Sequence, residues 1–549
     1  MINNNFKIQT TYMRSLILFL ALCCYTHSFA QVVIFSGYDL NTGPNASTPN
    51  SFIAYNGKVY FTATSATMGR ELWQTNNTAA GTYIVKDINP GTGGGASYCL
   101  CTINSKLLFV GNDGVSGAEL WMTDGTASGT QMLLDINPGT GNSFSNYGAM
   151  MGGKYYFVAT DGTHGAELWV TDGTALGTYM VKDIYTGTAN SNITGVFEYG
   201  GLLYFSATTA GEGTEPWVSD GTVAGTHILA DMAPGTGSST PLAFSAFKGD
   251  VYFYATTNIT GYELFHTYKS APPGVLKDIN PGIGSGSSVA GPRVEYNGKI
   301  YFLGDDGTHG PELWCSDGTD AGTVMVKDLN PGTGVGGSVA MAAFNGALYF
   351  RGNDGTGTAL WSYNDVSGNV QLVMNVLNAS DFIEYNHRLY FTASTTSSSK
   401  PQLYRTDGTT AGTLLLGPGG TGTNISSQLD ILFSDPYSKC LYLGADYFGD
   451  GKELWSIKDT VSYAYVQNNL LTKNSFAVYP NPNRGAFTLE TRNAFKTGSV
   501  NVYDMLGRGV YQSPISNQLS PVNLNVSNGN YLIQLQLDGV VHTKQITVE

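Results

Sequence analysis

Glu119-Leu120-Trp121-Met122-Thr123-Asp124-Gly125-Thr126 recurs almost unchanged at Glu167 to Thr174 and at Glu312 to Thr319. Its tryptophan marks a ladder: Trp73, Trp121, Trp169 and Trp217 stand 48 residues apart, and Phe265, Trp314, Trp361, Tyr404 and Trp455 continue it. A second ladder keeps the same step through Phe61, Phe109, Phe157, Phe205, Phe253, Phe302, Phe350, Phe391 and Leu443. Two ladders in one register define nine copies of a unit, and a period of this length decides the fold before any finer reading.

Each unit reads as four strands. Around Trp73 these are Ser51–Tyr55, Lys58–Ala63, Glu71–Thr75 and Tyr83–Ile88. Asn56-Gly57 between the first two is a two-residue hairpin signal, since both residues tolerate positive φ. Asp-Gly-Thr, as at Asp124 to Thr126, turns the third strand into the fourth: Asp accepts nearby backbone N–H groups and Gly takes the strained dihedral. Four antiparallel strands repeated at about 40–50 residues predict β-propeller blades. The segment Val33 to Asn41 matches a fourth strand yet precedes the first unit, and the last unit stops at its third strand, Glu453-Leu454-Trp455. The expected fold class is therefore all-β: a closed propeller of eight or nine four-stranded blades over 31–466, latched by its first strand. An open β-solenoid is the alternative.

The ends differ from the repeats. Lys7 and Arg14, the apolar run Leu16 to Tyr25 and Ser28-Phe29-Ala30 read as a cleaved export signal over 1–30. After a linker at 467–474, residues 475–549 read as a small Ig-like β-sandwich of alternating strands. Tyr479-Pro480-Asn481-Pro482, Asp504 to Arg508 and Gly529-Asn530-Tyr531 follow one another there. In that order they resemble the type A C-terminal sorting domain of cargo of the Bacteroidota type IX secretion system. That resemblance implies the secretion machinery as a partner and an extracellular or outer-membrane surface location. The Glu-Leu-Trp-x-x-Asp-Gly-Thr string resembles the ELWxxDGT repeat family of secreted bacterial proteins, which implies architecture and surface location but no activity.

Composition narrows the function. Of 549 residues, 70 are glycine and only 12% are charged, which fits tight-turned strands and excludes a coiled coil. A net charge of −14 repels phosphate, so nucleic acid is not an expected partner. No run in the mature chain is long enough to span a bilayer. Cys99 and Cys101 are expected on one face of one strand, and with Cys315 and Cys440 they read as buried thiols.

The recurring carboxylates are the candidates for chemistry. Pairing of the third and fourth strands is expected to set Glu71 opposite Lys86, Glu167 opposite Lys182 and Glu312 opposite Lys327. The glutamates are also expected to accept N–H groups from the loop before them. Asp161, Glu167 and Asp183, and likewise Asp306, Glu312 and Asp328, fall toward one face and are candidate Ca²⁺ ligands, since that ion takes six to eight oxygens. No other cofactor is expected. His164 and His309 mark a repeated loop position and lack zinc-ligand spacing. Arg70, Arg293, Arg351, Arg388 and Arg405 do not recur in register and are candidates to line a pocket for an acidic sugar. Nine similar blades offer no single catalytic place, and no nucleophile elbow or P-loop is present. The expected function is a non-catalytic surface propeller that binds a glycan, protein or surface polymer. The alternative is a polysaccharide hydrolase or lyase, whose asymmetry would come from the irregular stretch Ala359 to Gly420.

Overall fold

The computed structural model describes residues 33 to 459 and 476 to 548, less several short stretches, of which 422–428 is the longest. The expected signal at 1–30 and the linker at 467–474 lie outside the described residues. The chain divides into two compact units, 1–459 and 460–549.

Strand β1 is Val33–Tyr38; β2 (Asn50–Tyr55), β3 (Lys58–Ser65), β4 (Gly69–Thr75) and β5 (Tyr83–Lys86) form the first antiparallel sheet. Asn56 and Gly57 join β2 to β3 with φ of 48° and 73°, as a hairpin of two left-handed residues requires. Eight further sheets follow, making nine among the described residues of the larger unit; all have four strands except the eighth, which gains the two-residue strand Gly420–Thr421. The ninth is built from Leu429–Asp435, Cys440–Ala445 and Glu453–Asp459, and its fourth strand is β1. Val33 pairs with Asp459 and Tyr38 with Leu454, without a break in register. The N-terminal strand therefore stands where the matching of Val33 to Asn41 placed it.

Packing follows the two aromatic ladders. Phe61, Phe109, Phe157, Phe205 and Phe253 are wholly buried. Each tryptophan lies against the preceding sheet: Trp121 packs with Tyr60, Leu72, Val85 and Ile88. Trp73, in the first sheet, does the same against Tyr38, Leu40, Tyr442 and Leu454 of the ninth. The first and last sheets thus share one core, and burial of each such large side chain contributes about 1.5–3 kcal/mol.

Two expectations about register are corrected. Lys86, Lys182 and Lys327 pair with Leu72, Leu168 and Leu313, not with the glutamates, because a β-bulge follows each pair. Cys99 and Cys101 do not share a face. A bulge separates them, so Cys99 packs with the first sheet's core and Cys101 with the third's. Both are buried free thiols, as are Cys315 and Cys440, and burial pushes the Cys99 thiol up to about 12.

The smaller unit is a sandwich of a three-stranded and a four-stranded sheet around Phe487, Leu489, Val500, Val502, Ile533 and Ile546. Its Asp504 carboxylate accepts from Arg508 Nε at 2.7 Å.

Pairing of β1 tolerates no side chain at Gly37, where a Cβ would stand 2.9 Å from the Trp455 ring. Gly37→Val is expected to lower the stability of the larger unit by about 1–3 kcal/mol, read as a fall in urea midpoint, and by more than Gly57→Asn, which meets open space and whose asparagine tolerates the left-handed φ of 73°.

Candidate functional site

The glutamates sit at the start of each third strand, or one or two residues into it, and are nearly or wholly buried. The leucine and tryptophan that follow drive that burial, so the carboxylate must find donors inside. It finds them in the segment after the fourth strand. Glu71 accepts from Ile88 N at 3.2 Å, Glu119 from Ile136 N at 2.8 Å and Glu167 from Ile184 N at 2.7 Å. Glu215, Glu263 and Glu312 accept from Met232, Ile279 and Leu329 in the same way. A second amide further along often joins, as Ser191 N does at Glu167 (3.2 Å) and Ser239 N at Glu215 (3.0 Å). The expected amide-accepting role is present, but the donors come from the connection to the next sheet and not from the preceding loop.

Glu453 shows the same chemistry across more than 400 residues of sequence. It accepts from Leu40 N at 2.9 Å and Ser47 N at 2.8 Å, residues that follow β1. At the corresponding places in sheets seven and eight stand Ala359 and Gln402, within the stretch read as irregular.

Burial pushes the Glu71, Glu119 and Glu263 carboxyls up to about 7, against the lowering effect of their hydrogen-bond donors. Burial raises Glu167, Glu215, Glu312 and Glu453 as well.

Two sets of recurring aspartates are engaged within their own loops. Asp124, Asp172, Asp220, Asp317 and Asp407 each accept from the N–H and hydroxyl of the threonine two residues on, which fixes the Asp-Gly-Thr turn. Asp161 and Asp306 lie in the loops before the glutamates and pair with His164 and His309 Nδ1 at 2.8 and 2.7 Å. Partial burial raises the Asp161 carboxyl, but hydrogen bonds from His164 and Thr163 outweigh it and leave the carboxyl below the ordinary range. The Asp161 hydrogen bond in turn raises the His164 imidazole.

His164 feels the charges of Asp161, Asp183 and Glu167, and His309 those of Asp306, Asp328 and Glu312, the members of the two candidate Ca²⁺ sets. Glu167 and Glu312 are held by backbone amides and Asp183 Oδ2 accepts from Gly187 N at 3.2 Å, while Asp183 Oδ1 and Asp328 Oδ1 are buried without a hydrogen-bond partner. Among the described residues no group of three His, Cys, Asp or Glu is arranged to hold a metal ion.

The arginines do not converge. Arg70 donates to Thr48 and Thr62, Arg293 to Ser245 and Tyr252, Arg351 to Ser338 and Arg388 to the His387 carbonyl. Arg405 pairs with buried Asp459 at 2.8 Å, and Tyr390 donates to the same carboxylate at 2.6 Å. That cluster fixes the end of the strand that receives β1.

One feature escaped the sequence reading. A cavity of 260 Å³ opens beside the paired β1, lined by Asp39, Asp446, Tyr447, Phe448, Glu453 and Trp455. Tyr447-Phe448 occupies the loop position that Asp161-Gly162 holds in the third unit. That break in an otherwise regular Asp-Gly pattern was the available signal.

Residues 477–549 match the family model described as a secretion system C-terminal sorting domain. The match agrees with the resemblance of the tail, and such a tail implies an exported protein. No curated protein sequence matches the chain. Among solved structures it is similar to one of two prolyl endopeptidases at 12% identity and a TM-score of 0.35, covering 73% of this chain and 55% of that one. A puromycin-hydrolyzing peptidase of Mycobacterium tuberculosis gives 11% identity and 0.35, covering 67% and 64%. The β-propeller domain of the Trilobed protease from Pyrococcus furiosus gives 10% and 0.32, covering 68% and 98%. The chain thus spans less than two thirds of the first two. No helix among the described residues is long and apolar enough to cross a membrane.

Two outcomes test the assignment of the carboxylates. A carboxyl whose pKa is raised on folding binds its proton more tightly in the folded state. Its stabilisation is complete below about pH 4.5 and is lost as pH rises through about 7 for Glu71. Thermal unfolding is therefore expected to move to lower temperature between pH 5 and pH 8, and Glu71→Gln to flatten part of that slope. Added Ca²⁺ is expected to move the melting temperature by less than about 1 °C, since an ion that binds the native state at a formed site would raise it.

Proposed function

We propose that the larger unit is a closed nine-bladed propeller, exported by the type IX system, that binds a surface polymer, glycan or protein without turning it over. The observation that carries the non-catalytic reading is the use made of the recurring carboxylates. Seven buried glutamates hold backbone amides. The Asp-Gly-Thr aspartates hold turns, so neither set offers a general acid or base facing a common centre. The sorting tail supports surface delivery. Pairing of β1 with the ninth sheet and the core shared by sheets nine and one support closure. The repeated Glu-Leu-Trp strands support membership of the ELWxxDGT repeat group.

Closure is tested by crosslinking. Ser36 pairs with Ser456 across 420 positions of sequence. The double variant Ser36→Cys, Ser456→Cys is expected to form a disulfide and to raise the melting temperature, because it closes a very long loop. Failure to oxidise in the folded protein argues against the latch.

Function is tested on the cell. Protease shaving of intact cells is expected to remove the full-length protein and to spare a variant lacking 477–549, which stays inside the envelope. The purified mature chain is expected to be retained on envelope polysaccharide or surface protein and to release no reducing ends from polysaccharide. Release of sugar ends favours the hydrolase or lyase reading instead.

A further inference from the structure

We propose that the cavity beside β1 seats a quaternary ammonium group of the choline type. The proposal rests on the binding reading above and names one ligand class for it.

The first observation is the lining. Three aromatic rings meet there. Tyr447 and Trp455 stand edge to face at 5.0 Å and 80°, and Phe448 tilts against Trp455 at 5.7 Å and 49°. The charged groups that line the cavity are Asp39, Asp446 and Glu453, all acidic. Aromatic faces are electronegative, so rings and carboxylates act in the same sense and select a cation. A trialkylammonium suits such a place because it is weakly hydrated and needs no hydrogen-bond acceptor. At 260 Å³ the space matches a single headgroup and not an extended chain.

The second observation comes from the other sheets. Two of the lysines that end a fourth strand, Lys86 and Lys182, reach across to the tryptophan of the next sheet, whereas Lys277 pairs with Asp320. Lys86 Nζ lies 5.9 Å from the Trp121 ring and Lys182 Nζ 5.7 Å from that of Trp217. Both then donate to a carbonyl of that next sheet, at Thr130 and Thr226. The tryptophan face is thus a cation seat that the chain fills from within. For Trp455 the residue in the lysine's register is Leu416, paired with Leu403 as Lys86 is paired with Leu72. Leu416 packs in the same core as Trp455 and brings no charge. Trp455 therefore lacks the internal cation, as Trp169 does with Leu134 in that register, but the loop before Trp455 carries Tyr447-Phe448 where that before Trp169 carries Asp161-Gly162.

The third observation is exposure. Phe448 is 62% exposed although it is a large apolar ring. It replaces a residue that is glycine in the corresponding loops, at Gly114, Gly162 and Gly307. An exposed aromatic beside buried ones forms an open rim through which a small cation enters.

The test is a calorimetric titration of the full mature chain with choline chloride. Three comparisons accompany it: 3,3-dimethylbutanol, which has the same shape without the charge; methyl glucoside; and the variant Phe448→Ala. Choline is expected to bind with Kd below about 10 mM. The uncharged isostere and the Phe448→Ala chain are each expected to bind at least about tenfold more weakly, a loss of about 1.4 kcal/mol. The melting temperature of the variant should match that of the parent, since its side chain is exposed. No choline binding, equal binding of the uncharged isostere, or an unchanged affinity in Phe448→Ala overturns the proposal. Binding of methyl glucoside with choline silent also overturns it, and leaves the wider surface-binding reading standing.

Discussion

A buried carboxylate that accepts backbone N–H groups from the connection to the next sheet is the bond on which the larger unit depends. Each glutamate is removed from water by the apolar residues that follow it, and a charge so placed is tolerable only with donors around it. The donors are main-chain amides of a turn that would otherwise have no fixed course. One side chain therefore does two things: it satisfies amides that a loop leaves unpaired, and it sets the angle at which the chain enters the next sheet. Repetition of that bond in seven of the nine described sheets ties each of them to the chain that leads into its neighbour. Glu453 makes the bond to residues at the other end of the unit, Leu40 and Ser47, so the joint between last and first sheets has the chemistry of the internal joints.

Much of this was legible from residues alone. The two aromatic ladders named the sheets, Asn56-Gly57 named a hairpin, and Val33 to Asn41 named the strand that joins the last sheet. What escaped was anything that turns on a single residue of register. A β-bulge beside Leu72 and Trp73 has no sequence mark, and it moves Lys86 away from Glu71. Another between Cys99 and Cys101 sends two residues of like parity to opposite sides of a sheet. Strand alternation is a rule of period two, and one inserted residue inverts every inference beyond it. The carboxylates were recognised as special but only partly understood. Spacing shows that Glu recurs; it does not show whether the amides it meets lie before or after it. The cavity beside β1 was missed for a different reason. Attention to what recurs passes over Tyr447-Phe448, where the pattern fails.

Regularity and its failure divide the work in this molecule. Most positions that repeat are absorbed by folding: glutamates by amides, turn aspartates by threonines, lysines by the neighbouring sheet; the aspartates that end the fourth strands, among them Asp87, Asp183 and Asp328, keep a buried Oδ1 without a partner. Sheets seven and eight, where Ala359 and Gln402 stand in the glutamate's place, hold the array together by other means, including the Arg405–Asp459 pair. Distinct chemistry is left to the places where one sheet departs from its siblings, and the junction made by β1 is the most marked of these.

The position of β1 also bears on when the array can form. Its partners in the ninth sheet lie more than 400 residues downstream, a separation that makes this among the slowest contacts to establish. Eight sheets can assemble in order along the polypeptide, yet β1 must wait, unpaired, for the final hairpin to arrive. The ninth sheet therefore cannot be completed until the chain has been made through residue 459.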